Sequence, residues 1–438
     1  MKKSSKLLIM VLVLSLLVAM LAIPTACSEK KEAIIILPGI MGSNLIDGNT
    51  GEPLWAPIKG YNMHELSVSQ IGSILNESSV KALLDIRGEK GALKWLEKMT
   101  VKPDGTSNYN IVTQSINKRG EPTYPLSSTY GTLEYYEKMY KYFQKNLGKN
   151  YDIVLFEYDW RLDNMSAAIR LENFIKEKGY DKVNIVAHSM GGILASTFIG
   201  RSEENRAVVN KFISLGTPYY GSLKAIRVPE NPLSLLEMDG IDSLLGTVRK
   251  MIDGIGGEGS FDEFYNGFIS FARNLPTIYQ LMPYAEMTGA YDGREEELSN
   301  LGIITVDGDS IKDYNEVIAF LSERGFCESN NYFSKIVGWQ NEQFVVVNGE
   351  RVHASKLVDT TYFVGLGMDT ELSINYEGDE MVGVTTSKLG DGTVPSFSAS
   401  CGLPLDNERV VSFDNTGHGD LAYLDNCLEK IAEVITKQ

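Results

Sequence analysis

Six short runs rich in aliphatic and β-branched residues recur along the chain without polar alternation. They are AIIIL (33–37), DIVLFEY (152–158), KVNIVA (182–187), KFISLG (211–216), TYFVGLG (361–367) and ERVVSF (408–413). A strand that is apolar on both sides must be covered on both faces, which is the environment of a parallel sheet packed between helices. Between several of the runs lie amphipathic stretches, TLEYYEKMYKYFQKNLG (132–148) and MSAAIRLENFIKEKG (165–179). Each ends on a glycine, a helix stop signal. Strand, helix, strand in this order predicts a doubly wound α/β sheet. With 438 residues, 43% of them hydrophobic, the chain can bury a large core as one big α/β domain or two smaller ones.

Two intervals break the alternation. Residues 45–130 and 221–345 are too long to be loops of a compact domain, so each is expected to be an inserted subdomain. The core is then split into residues 27–44, 131–220 and 346–438. Insertions on the C-terminal side of a parallel sheet cover the ligand crevice, which makes both candidate lids. In QFVVVNGERVHAS, Asn348 and Gly349 between extended runs predict a hairpin, with His353 half-exposed on the return strand.

The first 32 residues, MKKSSKLLIMVLVLSLLVAMLAIPTACSEKKE, combine a basic start, an apolar run from Leu7 to Ile23 and a charged stretch. This reads as an export signal over residues 1–26. A retained anchor is the alternative, because the run reaches the lower length limit of a membrane span. Ala26 followed by Cys27 resembles a bacterial lipoprotein cleavage box, with Cys27 acylated and tethered to the membrane surface. Pro24 departs from that pattern and leaves plain secretion open. The formal charge is −16, and removal of the first 26 residues takes away three lysines and no acid, leaving −19. Such a chain repels nucleic acid and anionic head groups. Cys327, Cys401 and Cys427 remain; one disulfide, Cys401 to Cys427 first, and three reduced thiols are both compatible with export. No CxxC or Cys/His cluster occurs and the four histidines are scattered, so no metal is expected.

NIVAHSMGGILAS (184–196) places Ser189 between a strand-forming run and a helix-forming run. A hydroxyl on a sharp strand-to-helix turn projects clear of the backbone, and the close packing there requires small residues two before and two after. Ala187 and Gly191 satisfy that requirement. The short pattern alone would occur by chance in roughly a third of chains this long. Its setting between strand and helix is what makes Ser189 the candidate nucleophile. A serine needs a base, and in the order serine, acid, histidine the base lies downstream. His418, in FDNTGHGDL, follows the last apolar run and is flanked by glycines. His64 lies upstream in an insertion, His353 precedes the best acid, and His188 is set aside because the elbow splays its neighbours. Asp391, in KLGDGTVPS, is the acid preferred over Asp369 because its glycines make a tight turn. Its role would be to hold the imidazole tautomer. The oxyanion donors expected are the amides of Met190 and of Ile40, in ILPGIMGSNL. No phosphate-binding glycine motif occurs in that loop.

The blocks ILPGIMGSNL, EYDWRL (157–162), VNIVAHSMGG, LGTPYYGSL (215–223), RNLPTIYQLMP (273–283) and GDGTVP (390–395) occur in an order that resembles the lecithin:cholesterol acyltransferase family, including lysosomal phospholipase A2 and plant phospholipid:diacylglycerol acyltransferases. The resemblance implies an α/β-hydrolase fold with two inserted cap subdomains. It also implies a triad of Ser189, Asp391 and His418 and oxyanion donors Ile40 and Met190, acting on lipid acyl esters through an acyl-enzyme with no cofactor. Within EYDWRL, Asp159 and Arg161 are available to pair. Trp55, Tyr279, Met282 and Tyr284 are apolar candidates better read as core than as groove. The acidic stretch VDGDSIKDYNE (306–316) is out of step with a Ca²⁺ loop and reads as a solvated turn. The expected activity is acyl-ester hydrolysis, with acyl transfer to a lipid alcohol as the alternative. A catalytically silent surface binding protein and a peptidase on the same fold are the remaining readings.

Overall fold

The computed structural model describes residues 32–51, 53–55, 91–113, 133–232, 246, 249–250, 252–254, 257–283, 302–311 and 313–437. Within them the six apolar runs become β1 (Glu32–Leu37), β2 (Tyr151–Leu155), β3 (Val183–His188), β4 (Val209–Leu215), β5 (Thr360–Gly365) and β6 (Val410–Phe413). They lie side by side in the order β6-β5-β4-β3-β1-β2, and every neighbouring pair is parallel. The chain moves from β1 to β2 on one side and then returns to β3 on the other. The connections diverge above the carboxyl ends of β1 and β3, and that is where an open α/β sheet forms its ligand crevice.

Strand periodicity divides the core into two layers. Ala33, Ile35 and Leu37 of β1 face one cluster, and Ile34 and Ile36 face the other. The first is covered by α2 (Asn164–Lys178) and α3 (Met190–Arg201), with Leu171, Leu194 and Phe198 buried. The second is covered by α1 (Leu133–Leu147) and α4 (Asp425–Thr436), with Met139, Phe143 and Leu428 buried. This is a central parallel sheet between two helical layers, the α/β-hydrolase arrangement. Asp163 caps α2 by accepting from the Ser166 amide, and Gly179 ends it in the left-handed conformation at φ 67°. Gly148, expected to act likewise, has no positive φ.

Strands Ile304–Val306 and Asp309–Ile311, from the stretch expected to be an insertion, pair with Thr370–Glu377 and Glu380–Ser387 in a separate four-stranded sheet. Arg227 donates to the Glu371 carboxylate at 2.5 Å in a buried contact that fastens helix Lys224–Glu230 to this sheet. The acidic stretch forms the 304–311 hairpin and the Asp313 cap of helix Tyr314–Glu323. Asn348 and Gly349, at φ 54° and 84°, turn the hairpin between Phe344–Val347 and Glu350–His353.

One open alternative is decided and one expectation is corrected. Cys401 packs in one core layer and Cys427 in the other, so the sheet separates them, and all three described cysteines are free. His353 is buried, not half-exposed: its ring meets Ser355 Oγ at 2.8 Å and Gln343 Oε1 at 3.4 Å, between the rings of Tyr219 and Phe344. Burial holds its pKa down at about 3, so it is a neutral packing residue. Tyr279 and Met282 are core, and Trp55 packs on Trp160. The leader, Cys27, His64 and Tyr284 lie outside the described residues. Among the described residues no helix is long and apolar enough to cross a membrane.

Candidate active site

Ser189 sits between the last residue of β3 and the first of α3 at φ 55° and ψ −127°. A β-carbon in this region costs about 1 to 3 kcal/mol and persists only where surroundings enforce it. Here the Ser189 amide donates to the Leu215 carbonyl at 2.9 Å, and the Gly192 amide donates to the Ser189 carbonyl at 2.9 Å. The small residues that follow answer to close approach. A Cβ on Gly191 would lie 2.4 Å from the Leu37 carbonyl oxygen, and one on Gly192 would lie 1.9 Å from Thr217 Oγ1.

The carboxylate of Asp391 is buried and accepts three hydrogen bonds. Oδ1 takes the amides of Thr393 at 2.9 Å and Val394 at 2.7 Å, while Oδ2 lies 2.7 Å from His418 Nδ1. An ionised carboxylate only accepts, so Nδ1 carries the proton and Nε2 is left as the basic nitrogen. The His418 amide also donates to the Asp391 carbonyl at 2.9 Å, so the two loops are tied through backbone and side chain together. Gly216, at φ 56°, lets the pair rest on the end of β4, because a Cβ there would lie 2.9 Å from Asp391 Oδ2 and 3.1 Å from His418 Nδ1. Asp369 points to solvent and pairs with Lys388 at 2.8 Å.

The loop after β1 faces the elbow directly: a Cβ on Gly39 would fall 2.8 Å from that of Ser189. Tyr158 Oη donates to the Pro38 carbonyl at 2.7 Å, Tyr136 Oη accepts from the Gly39 amide at 2.8 Å, and Trp55 Nε1 donates to the Met41 carbonyl at 2.7 Å. Three aromatic side chains thus fix the segment that carries Ile40. Met190 opens α3, so its N–H is among the amides without an intrahelical acceptor, at the positive end of the helix. Below this loop Arg161 forms a two-pronged pair with Asp159, at 2.9 and 2.7 Å, and donates to the Met99 carbonyl at 2.8 Å. Neighbouring Glu157 is buried with its pKa pushed up to about 8 by desolvation, so at neutral pH it is largely protonated.

Ser189, the Asp391–His418 pair, and the Ile40 and Met190 amides therefore gather at the carboxyl ends of β1, β3 and β4. Among the described residues Ser189 Oγ makes no hydrogen bond to His418; such bonds often tighten only with substrate in place. The link between elbow and base loop runs instead through His188, whose ring is 4.7 Å from that of His418. Sequence reasoning set His188 aside and never singled out Tyr136. One tyrosine among the four of an amphipathic helix carries no signal of the partner that folding brings to it from 52 residues away.

Residues 91–231 match the family model of lecithin:cholesterol acyltransferase. That segment contains the EYDWRL block and the Ser189 elbow, while Asp391 and His418 lie beyond it. No curated protein sequence matches the chain. Matching solved structures include the Tle4–Tli4 complex, at 13% identity and TM-score 0.47, covering 92% of this chain and 97% of that one. Another is the Bacillus licheniformis lipase BlEst2 in its mature form, at 12% identity and TM-score 0.30, covering 93% and 94%.

Proposed function

We propose that the protein is a serine lipid acyl-ester hydrolase of the lecithin:cholesterol acyltransferase type, with acyl transfer to a lipid alcohol as the second outcome of the same intermediate. The observation that carries the reading is the buried Asp391–His418 pair, 2.7 Å apart, joined through His188 to a serine held at an elbow geometry that non-glycine residues rarely adopt. The family match over residues 91–231 supports a lipid ester as the substrate class. In this mechanism His418 Nε2 takes the Ser189 proton as Oγ attacks the ester carbonyl. The Ile40 and Met190 amides hold the oxyanion, each such donor supplying about 3 to 4 kcal/mol in related chemistry. The imidazolium, stabilised by Asp391, then passes its proton to the departing lipid alcohol. Water or a second lipid alcohol releases the acyl group from Ser189. The N-terminal leader and Cys27 support placing this activity outside the cytoplasm, tethered at a membrane surface.

The test is mass spectrometry of wild type and Ser189→Ala incubated with phospholipid, glyceride and a free lipid alcohol. The expected result is free fatty acid from wild type alone. A new ester would assign the transferase outcome, and no product from wild type would abandon the lipid reading in favour of a silent scaffold or a peptidase.

A further inference from the structure

The three loops of the site are joined by one unbroken chain of hydrogen bonds. The Gly39 amide donates to Tyr136 Oη at 2.8 Å, Tyr136 Oη meets His188 Nδ1 at 2.7 Å, and His188 Nε2 meets the His418 carbonyl at 2.9 Å. Proton positions along it follow from the chemistry of its ends. A carbonyl oxygen cannot donate, so Nε2 of His188 carries a proton. In the neutral ring Nδ1 is then an acceptor, and the Tyr136 hydroxyl must donate to it. Burial pushes the Tyr136 phenol well above its ordinary pKa, so that proton is retained. Both rings are buried, and they lie 5.8 Å apart at their centroids.

We propose that Tyr136 and His188 are positioning residues that set the oxyanion loop and the general-base loop in register with the elbow. His188 adjoins Ser189 in sequence, so its backbone travels with the nucleophile while its Nε2–H holds the backbone of the base. Tyr136 fixes the backbone one residue before Ile40. The relay rests on the triad proposed above, and it assigns separate tasks to its two ends. Loss of the His188 donor lets the His418 backbone shift, which harms both proton transfers of that ring, from Ser189 with either ester and to the leaving group with the alkyl ester alone. Loss of the Tyr136 hydroxyl frees Gly39, which harms oxyanion binding whatever the leaving group.

That division gives the experiment. Steady-state kcat and KM are measured for Tyr136→Phe, His188→Asn and His188→Gln on a p-nitrophenyl ester, whose anion leaves unassisted, and on an alkyl ester of the same acid, whose alkoxide needs a proton. Asparagine places an acceptor near Nδ1 and gives up the reach to His418; glutamine retains a donor near Nε2. For His188→Asn the alkyl ester should lose about 10- to 100-fold in kcat, the scale set by misplacing a group by about 1 Å, with KM little changed and the p-nitrophenyl ester less affected. His188→Gln should restore much of the alkyl-ester rate, and Tyr136→Phe should lower both esters alike. Wild-type values in all three variants, or identical losses on both esters in His188→Asn and His188→Gln, would overturn the relay. Should His188→Asn fail to fold, the comparison of His188→Gln with Tyr136→Phe still decides it. Wild type and Ser189→Ala run alongside: equal inactivity of the two overturns the triad and the relay with it, whereas an active, Ser189-dependent wild type with unaffected relay variants overturns the relay alone.

Discussion

Replacing Asp391 with asparagine changes one atom, and the structure dictates where the new amide group goes. Oδ1 accepts the buried amides of Thr393 and Val394 at 2.9 and 2.7 Å. Turning the side chain so that its NH₂ faced those two donors would leave three N–H groups opposed and two buried amides unpaired, at about 1 to 3 kcal/mol for each. The asparagine oxygen therefore stays at the Oδ1 position, and its NH₂ takes the Oδ2 position, 2.7 Å from His418 Nδ1. A donor at that place can be met only by an unprotonated Nδ1. The imidazole proton is driven to Nε2, which in the proposed triad would then present a hydrogen to Ser189 and could not act as its base. In serine-triad chemistry the wrong tautomer lowers kcat about 10⁴-fold, or about 5 kcal/mol at 1.36 kcal/mol per tenfold. The assay is kcat on a p-nitrophenyl ester, with thermal unfolding to show that the fold survives the loss of one charge-assisted bond, about 1.5 to 3 kcal/mol. Asp391→Ala, which leaves either tautomer open, should be no slower than Asp391→Asn. An asparagine variant retaining more than about a tenth of wild-type kcat would refute the reasoning, because it would mean that His418 does not depend on Asp391 for its tautomer.

Gly191→Ala should destabilise the protein by about 1 to 3 kcal/mol through overpacking, beyond the roughly 1 kcal/mol that alanine gains in a helix. The clash is with the Leu37 and Pro38 carbonyls at 2.4 and 2.7 Å, so kcat should fall as well because α3 is pushed off the oxyanion loop; a lowered melting temperature with unchanged kcat would contradict that coupling. Glu157 binds its proton more tightly folded, at about 8, than its ordinary value of 4.5. Between those two values the native state holds more protons than the unfolded state, so stability falls as pH rises across the window. Glu157→Gln stays neutral and should flatten this slope, gaining on wild type by a few kcal/mol at most between pH 5 and 8 in urea titrations; parallel pH profiles would show that Glu157 does not titrate there.

The six strands and the serine elbow were legible in the chain because their signals are local. A buried parallel strand must be apolar throughout, as AIIIL and KVNIVA are, and a nucleophile turn needs small residues at fixed offsets, as Ala187 and Gly191 supply. The preference for Asp391 over Asp369 also rested on local punctuation; folded, Asp391 meets His418 while Asp369 pairs with Lys388 at the surface. The four-stranded sheet was not legible. Thr370–Glu377 is buried along most of its length without regular alternation, and its partner Ile304–Val306 comes from another part of the chain. Nor could composition distinguish a disulfide from free thiols, since only the completed sheet puts Cys401 and Cys427 in opposite layers. The environments of His353 and His188 depend in the same way on contacts across tens to hundreds of residues. Residue type and spacing set which backbone conformations are affordable and which side chains could do chemistry. Which hydrogen-bond donor meets which acceptor, and hence the surroundings of His188, His353 and His418, was decided when folding brought distant segments together.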